Sequence, residues 1–263
     1  MPTCVVQVFY HGKFTLEFFC GLIYVIIFLV VYMLERSKML IDEDRLNKFI
    51  NSHILIVGVG GVGGACFEAL VRMGINNISI VDGDSFSLSN LNRQLLSNRN
   101  NIGVSKVKEA HLRALTINPS ICVNEYNLFL TEANIDDLEY SNYDYIIDCC
   151  DTMTPKLLLI KKALENNIKI ISSMGTGNRL DCTKLEITNI WNTDNDPVAR
   201  VMRKLLRDND IKYKLPVLCS REIPIKVDSR TPGSVSFVPN VAGFYIANYV
   251  FNDIISIGSD NNG

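Results

Sequence analysis

The run Gly58-x-Gly60-Gly61-x-Gly63-Gly64 places five glycines in seven positions. Glycines at that spacing let a backbone turn tightly and approach a phosphate chain. A helix starting there adds unpaired N–H groups and the positive end of its dipole. Two acids, Asp82 and Asp84, follow some twenty residues on, the distance at which a carboxylate holds a ribose hydroxyl. So far NAD, FAD and ATP fit equally. The residues beyond Asp84 separate them. Ser89-Asn90-Leu91-Asn92-Arg93-Gln94 sets a carboxamide and a guanidinium just past the acid, and Lys106 comes thirteen residues after Arg93. Hydride transfer has no need of two cations beside a pyrophosphate. An enzyme that breaks ATP does, because charge builds on the leaving oxygens. Asp151 completes the set as a carboxylate able to hold Mg²⁺ on the phosphates. Each residue alone could be a helix cap or a surface charge; the ordered set Asp82, Asn90, Arg93, Lys106, Asp151 is harder to explain that way.

These side chains need elements to carry them. An apolar strand His53–Val57 feeds the glycine turn. A helix over 65–73 follows, closed by Gly74 at its C-cap, and a second strand over 78–81 ends at the acids. That is a strand–turn–helix–strand unit of about thirty residues. A short helix over 42–50 precedes it. Beyond it the pattern predicts a helix over 106–116 that opens with Lys106, and a strand Cys122–Tyr126. An apolar strand over 143–148 runs into Asp151, followed by a helix over 155–166 and a strand over 168–172. Alternation of this kind implies an α/β, Rossmann-like, mostly parallel sheet with helices on both faces. Asp151 then sits at the carboxyl end of its strand, where such sheets bind ligands. After 180 the pattern is less regular, a smaller α+β portion. It holds short strands near 185–190, 217–220 and 234–238, a helix near 197–208 and a closing apolar helix near 241–255. The expected organisation is an apolar segment 1–35, a nucleotide-binding half 36–180 and a substrate-side portion 181–263.

The 263 residues, 48% hydrophobic and 21% charged, suffice for such a core. A net charge of -2 gives no hint of nucleic-acid binding, though a local basic face is compatible with it. None of the eight cysteines forms a C-x-x-C pair, which argues against a four-thiolate zinc site. Their scatter suits free thiols in a reducing compartment.

Residues 18–34 are seventeen positions without a charge, followed by Glu35-Arg36-Ser37-Lys38. That length just spans a bilayer, and the flanking charges would leave the body, with its catalytic domain, in the cytoplasm. A cleaved secretory leader fits poorly, since the charges follow the apolar run and no small-residue cleavage site does. The competing reading makes residues 1–32 an extension outside the working protein, with Met33 as its start.

The motifs GVGGVGG, VDGD, SNLNRQ, IGVSK and DCCD resemble the adenylating domain of the ubiquitin-activating-enzyme superfamily. From about Arg36 to Ile255 the chain is most similar to the tRNA threonylcarbamoyladenosine dehydratases. Gly175-Thr176-Gly177 followed by Asp181-Cys182-Thr183, the Asp196-Pro197 helix and the 233–239 segment point to that branch. Sulfur-carrier-activating relatives often carry paired C-x-x-C zinc ligands. The resemblance implies that Asp82 binds the ATP ribose, that Asn90, Arg93 and Lys106 line the triphosphate, and that Asp151 contacts ATP or its Mg²⁺. It implies that Arg36 enters a partner subunit's site, hence a homodimer. That role sits badly with a membrane helix ending at Leu34, because two residues of extended chain reach only about 7 Å. The implied reaction adenylates the threonyl carboxylate of a modified tRNA adenosine; the neighbouring carbamoyl group then closes a ring and expels AMP. No enzyme nucleophile is required. Were a thiol route used, Cys219 is the candidate, and a sulfur-transfer or redox partner would be conceivable.

A basic stripe could meet the tRNA. Asp196 can cap a helix opening at Pro197, and Arg200, Arg203, Lys204 and Arg207 then share one face; the plain alternative is a solvated charged face. Three rivals stay open: activation of a ubiquitin-like sulfur carrier, an NAD-dependent oxidoreductase, and a membrane-anchored scaffold without activity.

Overall fold

The computed structural model describes residues 33–229 and 231–256. Most of the apolar run 18–34 therefore lies outside the described residues, as do Cys4 and Cys20. Among the described residues no helix is long and apolar enough to cross a membrane. Leu34, the last residue of that run, is buried, and its side chain packs on Gly74.

Seven strands form one sheet: β1 (His53–Val57), β2 (Asn77–Val81), β3 (Cys122–Tyr126), β4 (Tyr145–Asp148), β5 (Lys169–Ser173), β6 (Leu185–Asn189) and β7 (Pro216–Ser220). Their order is β3-β2-β1-β4-β5-β7-β6, all parallel except the antiparallel β6–β7 pair. The chain leaves β1 in one direction for β2 and β3, then returns to the other side for β4 and β5. The order thus reverses between β1 and β4, and the crevice at their carboxyl ends is where such sheets take ligands.

Side chains alternate across each strand. Ile54 and Ile56 of β1 join the core with α1 (Glu43–Ile50), α2 (Gly61–Arg72), α3 (Lys106–Ile117) and α6 (Phe237–Ile255). Leu55 and Val57 join the opposite core with α4 (Met153–Glu165) and α5 (Pro197–Asp208). Strands buried on both faces read as the unbroken apolar runs seen in the sequence. The expected layers are present, and β6 and β7 extend the same sheet.

One expected element is absent. Residues 234–236 form no strand, and α6 starts at Phe237, four residues earlier than the apolar pattern indicates. Val235 and Phe237 alternate with serines as in a strand, but the segment has no neighbouring strand to pair with. Pro239 fits the first turn of a helix, where its missing N–H would be unpaired anyway.

The inner faces of α2 and α6 approach at glycine. A Cβ on Gly243 would stand 2.3 Å from the Val62 carbonyl oxygen and 2.8 Å from Ala65 Cβ. Val62 belongs to the first turn of α2, so this contact seats the helix that carries the glycine turn. Overpacking at such a site costs about 1–3 kcal/mol. Gly243→Ala should lower Tm by roughly 5 °C in a thermal melt; a variant melting with the wild type would contradict the packing described.

Candidate active site

The glycine turn lies in the crevice between β1 and β4. Gly58 leaves β1 at φ +90°, a conformation that L side chains rarely adopt. A Cβ there would also stand 2.7 Å from the Cys149 carbonyl oxygen and 2.9 Å from the Cys150 nitrogen. Gly63 is as tightly set, with Gly58 O where its Cβ would be. The two glycines let the start of α2 sit directly on the end of β1. Gly60 is freer, bordered only by the Gln94 side chain, whereas a Cβ on Gly61 would press on Pro239 at 3.1 Å, with Arg93 beyond it.

Asp82 ends β2 and is tied to this turn. One carboxylate oxygen accepts the Val59 N–H at 2.7 Å and the other accepts the Asp84 N–H at 2.9 Å. Lys106 opens α3 and is buried, with Nζ 2.7 Å from Asp84 and 3.6 Å from Asp82. Its backbone N–H donates to Asp84 O. The ammonium is thus fixed beside both acids. Asn90 closes a short 3₁₀ turn, Leu88–Asn90, by accepting the Ser87 N–H. Arg93 bonds Ser89 O and the Asn92 carboxamide, and Asn240 of α6 donates to Arg93 O. Asp151 is exposed, one residue past the Cys150 that backs onto Gly58. Gly58, Gly60, Gly61, Gly63, Asp82, Asp84, Arg93 and Lys106 therefore gather around the glycine turn, while Asn90 is engaged in its own 3₁₀ turn and Asp151 follows the strand end that touches Gly58.

Arg36 does not join them. It is exposed, two residues after Leu34, which packs at the carboxyl end of α2. The glycine turn is at the other end of that twelve-residue helix, about 18 Å away.

The basic stripe is divided. Asp196 caps α5 as expected, accepting the Val198 and Ala199 N–H groups. Arg203, however, turns inward and donates to the carbonyls of Thr193 and Ile190. Arg207 lies over the Trp191 ring, 5.5 Å from its centroid. Helical spacing cannot reveal such demands from neighbouring loops. Arg200 and Lys204 remain exposed.

Cys219 does not suit the thiol route. It lies in β7, 1% exposed, and burial pushes its thiol up to about 12. Burial likewise pushes Cys149 up to about 12 and raises Cys66 and Cys150.

Three features escaped the sequence reading. Phe129, in the loop after β3, is 63% exposed, yet its ring lies against Gly83 between the two acids; a Cβ on Gly83 would meet it at 2.7 Å. Arg179 is buried and donates to the carbonyls of Gly175, Asn195, Ser220 and Glu222, with Asp196 at 3.5 Å. It ties the Gly175 loop, the end of β7 and the start of α5 together. Lys156 and Asp148 form a buried ion pair under Cys150. A charged residue on a helix, as Lys156 is, or in a loop, as Arg179 is, normally reads as solvated surface, so spacing offered no signal for either.

Residues 34–257 match the ThiF family. The chain belongs to that family. Among relatives of this ThiF-family chain, the tRNA threonylcarbamoyladenosine dehydratase of Bacillus subtilis (strain 168) is 35% identical over 243 residues, covering 86% of this chain and 96% of the relative. The dehydratase of Escherichia coli (strain K12) is 33% identical over 201 residues, 74% of this chain and 75% of the relative. The crystal structure of the E. coli tRNA N6-threonylcarbamoyladenosine dehydratase in complex with ATP superposes with a TM-score of 0.82 at 28% identity, covering 88% of this chain and 97% of that one.

Thiols with raised pKa values stay protonated, and so unreactive, at pH values below them. Native protein treated with iodoacetamide at pH 8 should carry label on exposed Cys122 and none on Cys66, Cys149, Cys150 or Cys219 by mass spectrometry. Denaturant should open all four to label. Native labelling of Cys219 would restore it as a nucleophile.

Proposed function

We propose that this chain uses ATP to adenylate and cyclise threonylcarbamoyladenosine in tRNA. The observation that carries the reading is Lys106, buried and ion-paired with Asp82 and Asp84 beside the glycine turn. A cation fixed there has an anionic chain to meet. The dehydratase name borne by relatives that align over most of the chain supports the substrate, and the ATP-bound structure of one of them supports the nucleotide. Activation of a sulfur carrier uses the same ATP chemistry, but the yeast adenylyltransferase and sulfurtransferase relatives align over 54% of this chain and 32% of their own length. Nothing in the crevice favours a nicotinamide.

In this reading the turn Gly58–Gly63 and the start of α2 offer N–H groups to the triphosphate. Asp82 holds the ribose, and Phe129 and Gly83 give the adenine a flat apolar surface. The threonyl carboxylate attacks the α-phosphorus and pyrophosphate leaves. Arg93 and Lys106 neutralise the charge gathering on the departing oxygens. The carbamoyl group then attacks the activated acyl carbon, and AMP departs with one former carboxylate oxygen. Among the described residues no group of three or more His, Cys, Asp or Glu side chains could hold a metal. A single carboxylate such as Asp151 fits Mg²⁺, which usually takes one or two carboxylates plus substrate phosphates. Arg36, remote from its own crevice, would act in a partner copy's site, so the working unit is a homodimer. Arg200 and Lys204 would contact the tRNA backbone, in a stripe narrower than the sequence pattern indicates.

One assay tests the set: conversion of threonylcarbamoyl-modified tRNA to the cyclised base with ATP and Mg²⁺, read by nucleoside mass spectrometry. Wild type should convert it. Lys106→Ala should lower kcat/KM by roughly 100-fold or more, and Phe129→Ala should raise the KM for ATP. Arg200→Glu with Lys204→Glu should raise the KM for tRNA and weaken its salt dependence. Wild-type protein that leaves the base unchanged with ATP present would reject the function.

A further inference from the structure

The last rung joining β4 to β5 pairs Asp148 with Ser172. Beyond it the two strands part. One runs through Cys149 and Cys150 to Asp151; the other runs through Ser173 to the loop at Gly175. Lys156 of α4 stands at this fork. Its Nζ donates to Asp148 Oδ2 at 3.0 Å, to the Ser173 carbonyl at 2.7 Å and to Ser172 Oγ at 3.4 Å. Ser172 also donates to Asp148 Oδ2. The other oxygen, Asp148 Oδ1, accepts the Cys150 N–H at 3.2 Å and the Cys150 thiol at 2.6 Å. One ammonium therefore holds the turn that presents Asp151 and the first residue of the Gly175 branch. The same turn bears on the glycine loop, because Cys149 O would stand 2.7 Å from a Gly58 Cβ.

Both side chains are sealed from water, 1% exposed for Lys156 and 0% for Asp148. Burial alone would drive the ammonium toward neutrality. Its polar neighbours, Asp148 first among them, outweigh it and hold Lys156 above the ordinary lysine value, so the ammonium stays charged at neutral pH. Stability gives little reason to keep such a pair. Apolar groups of similar volume often serve as well or better, and the ladder already joins β4 to β5. A charged pair does what they cannot: it fixes the direction of two turns through directed hydrogen bonds.

We propose that Lys156 and Asp148 are positioning residues that set the Asp151 turn for the nucleotide. This rests on the ATP reading above. Neither residue touches substrate; they act through the Cys150 N–H and thiol on the placement of Asp151. A displacement of about 1 Å at a phosphate contact can cost a hundredfold in rate.

The test is the double variant Asp148→Asn with Lys156→Met, which removes both charges and keeps their volumes. It is compared with wild type, with Asp151→Asn and with the triple variant. The double variant should melt near the wild type and bind tRNA with unchanged KM. Its kcat should fall by roughly 10–100-fold, and the Mg²⁺ concentration giving half-maximal rate should rise. Adding Asp151→Asn should lower the rate little further, because the two changes act on one group. A double variant with wild-type kcat and Mg²⁺ dependence would overturn the proposal, as would losses that multiply in the triple variant. If the double variant does not fold, Ser172→Ala carries the test: a several-fold fall in kcat with the same Mg²⁺ shift supports the proposal, and wild-type behaviour overturns it. Wild-type protein that binds Mg²⁺-ATP but forms no cyclised base rejects the function, not the positioning, which is then read from the variants' Mg²⁺-ATP affinity by calorimetry.

Discussion

Gly58 and Cys149 touch backbone to backbone, and the crevice depends on that contact. Any side chain at 58 would collide with the Cys149 carbonyl, and φ +90° already disfavours one. Because β1 and β4 close to this distance, α2 can begin immediately, its own approach permitted by Gly63 against Gly58 O. The unpaired N–H groups at the start of α2 therefore face the place where the sheet order reverses. A larger residue at either glycine would push α2 outward and separate the turn from Asp82, whose carboxylate accepts the Val59 N–H.

Charge is then distributed in two layers. Around the crevice stand Lys106, Asp82, Asp84 and Arg93, the lysine buried against its acids, Asp84 exposed and Arg93 half-buried. Behind it lie Lys156 with Asp148 and Arg179 with Asp196, sealed and fully engaged. The first layer can do chemistry. The second can only orient, and it controls the loops after β4, β5 and β7. Two cysteines flank these layers as neutral thiols, Cys150 against Asp148 and Cys149 against the glycine turn.

Much of this was legible from residue types and spacing. The β1–α2–β2 unit, the acid at the end of β2 and the lysine opening α3 follow from periodicity and glycine placement, and the strands fall within two residues of their expected limits. What was not legible needed tertiary partners. Arg203 shares a helical face with Lys204, yet loop carbonyls claim it. Lys156 and Arg179 look like surface charges until their acceptors appear around them. Val235 and Phe237 alternate like a strand but have no strand to pair with. Cys219 follows apolar residues in a segment expected near the site, and only its burial in β7 shows that its thiol stays protonated.

The central claim is that the crevice activates a carboxylate by joining it to the α-phosphorus of ATP. Labelling the threonyl carboxylate of the modified tRNA with ¹⁸O tests this directly. Turnover with unlabelled ATP in unlabelled water should yield AMP carrying one ¹⁸O for each base cyclised, with unlabelled pyrophosphate. Unlabelled AMP, or ADP with labelled phosphate, would contradict adenylation.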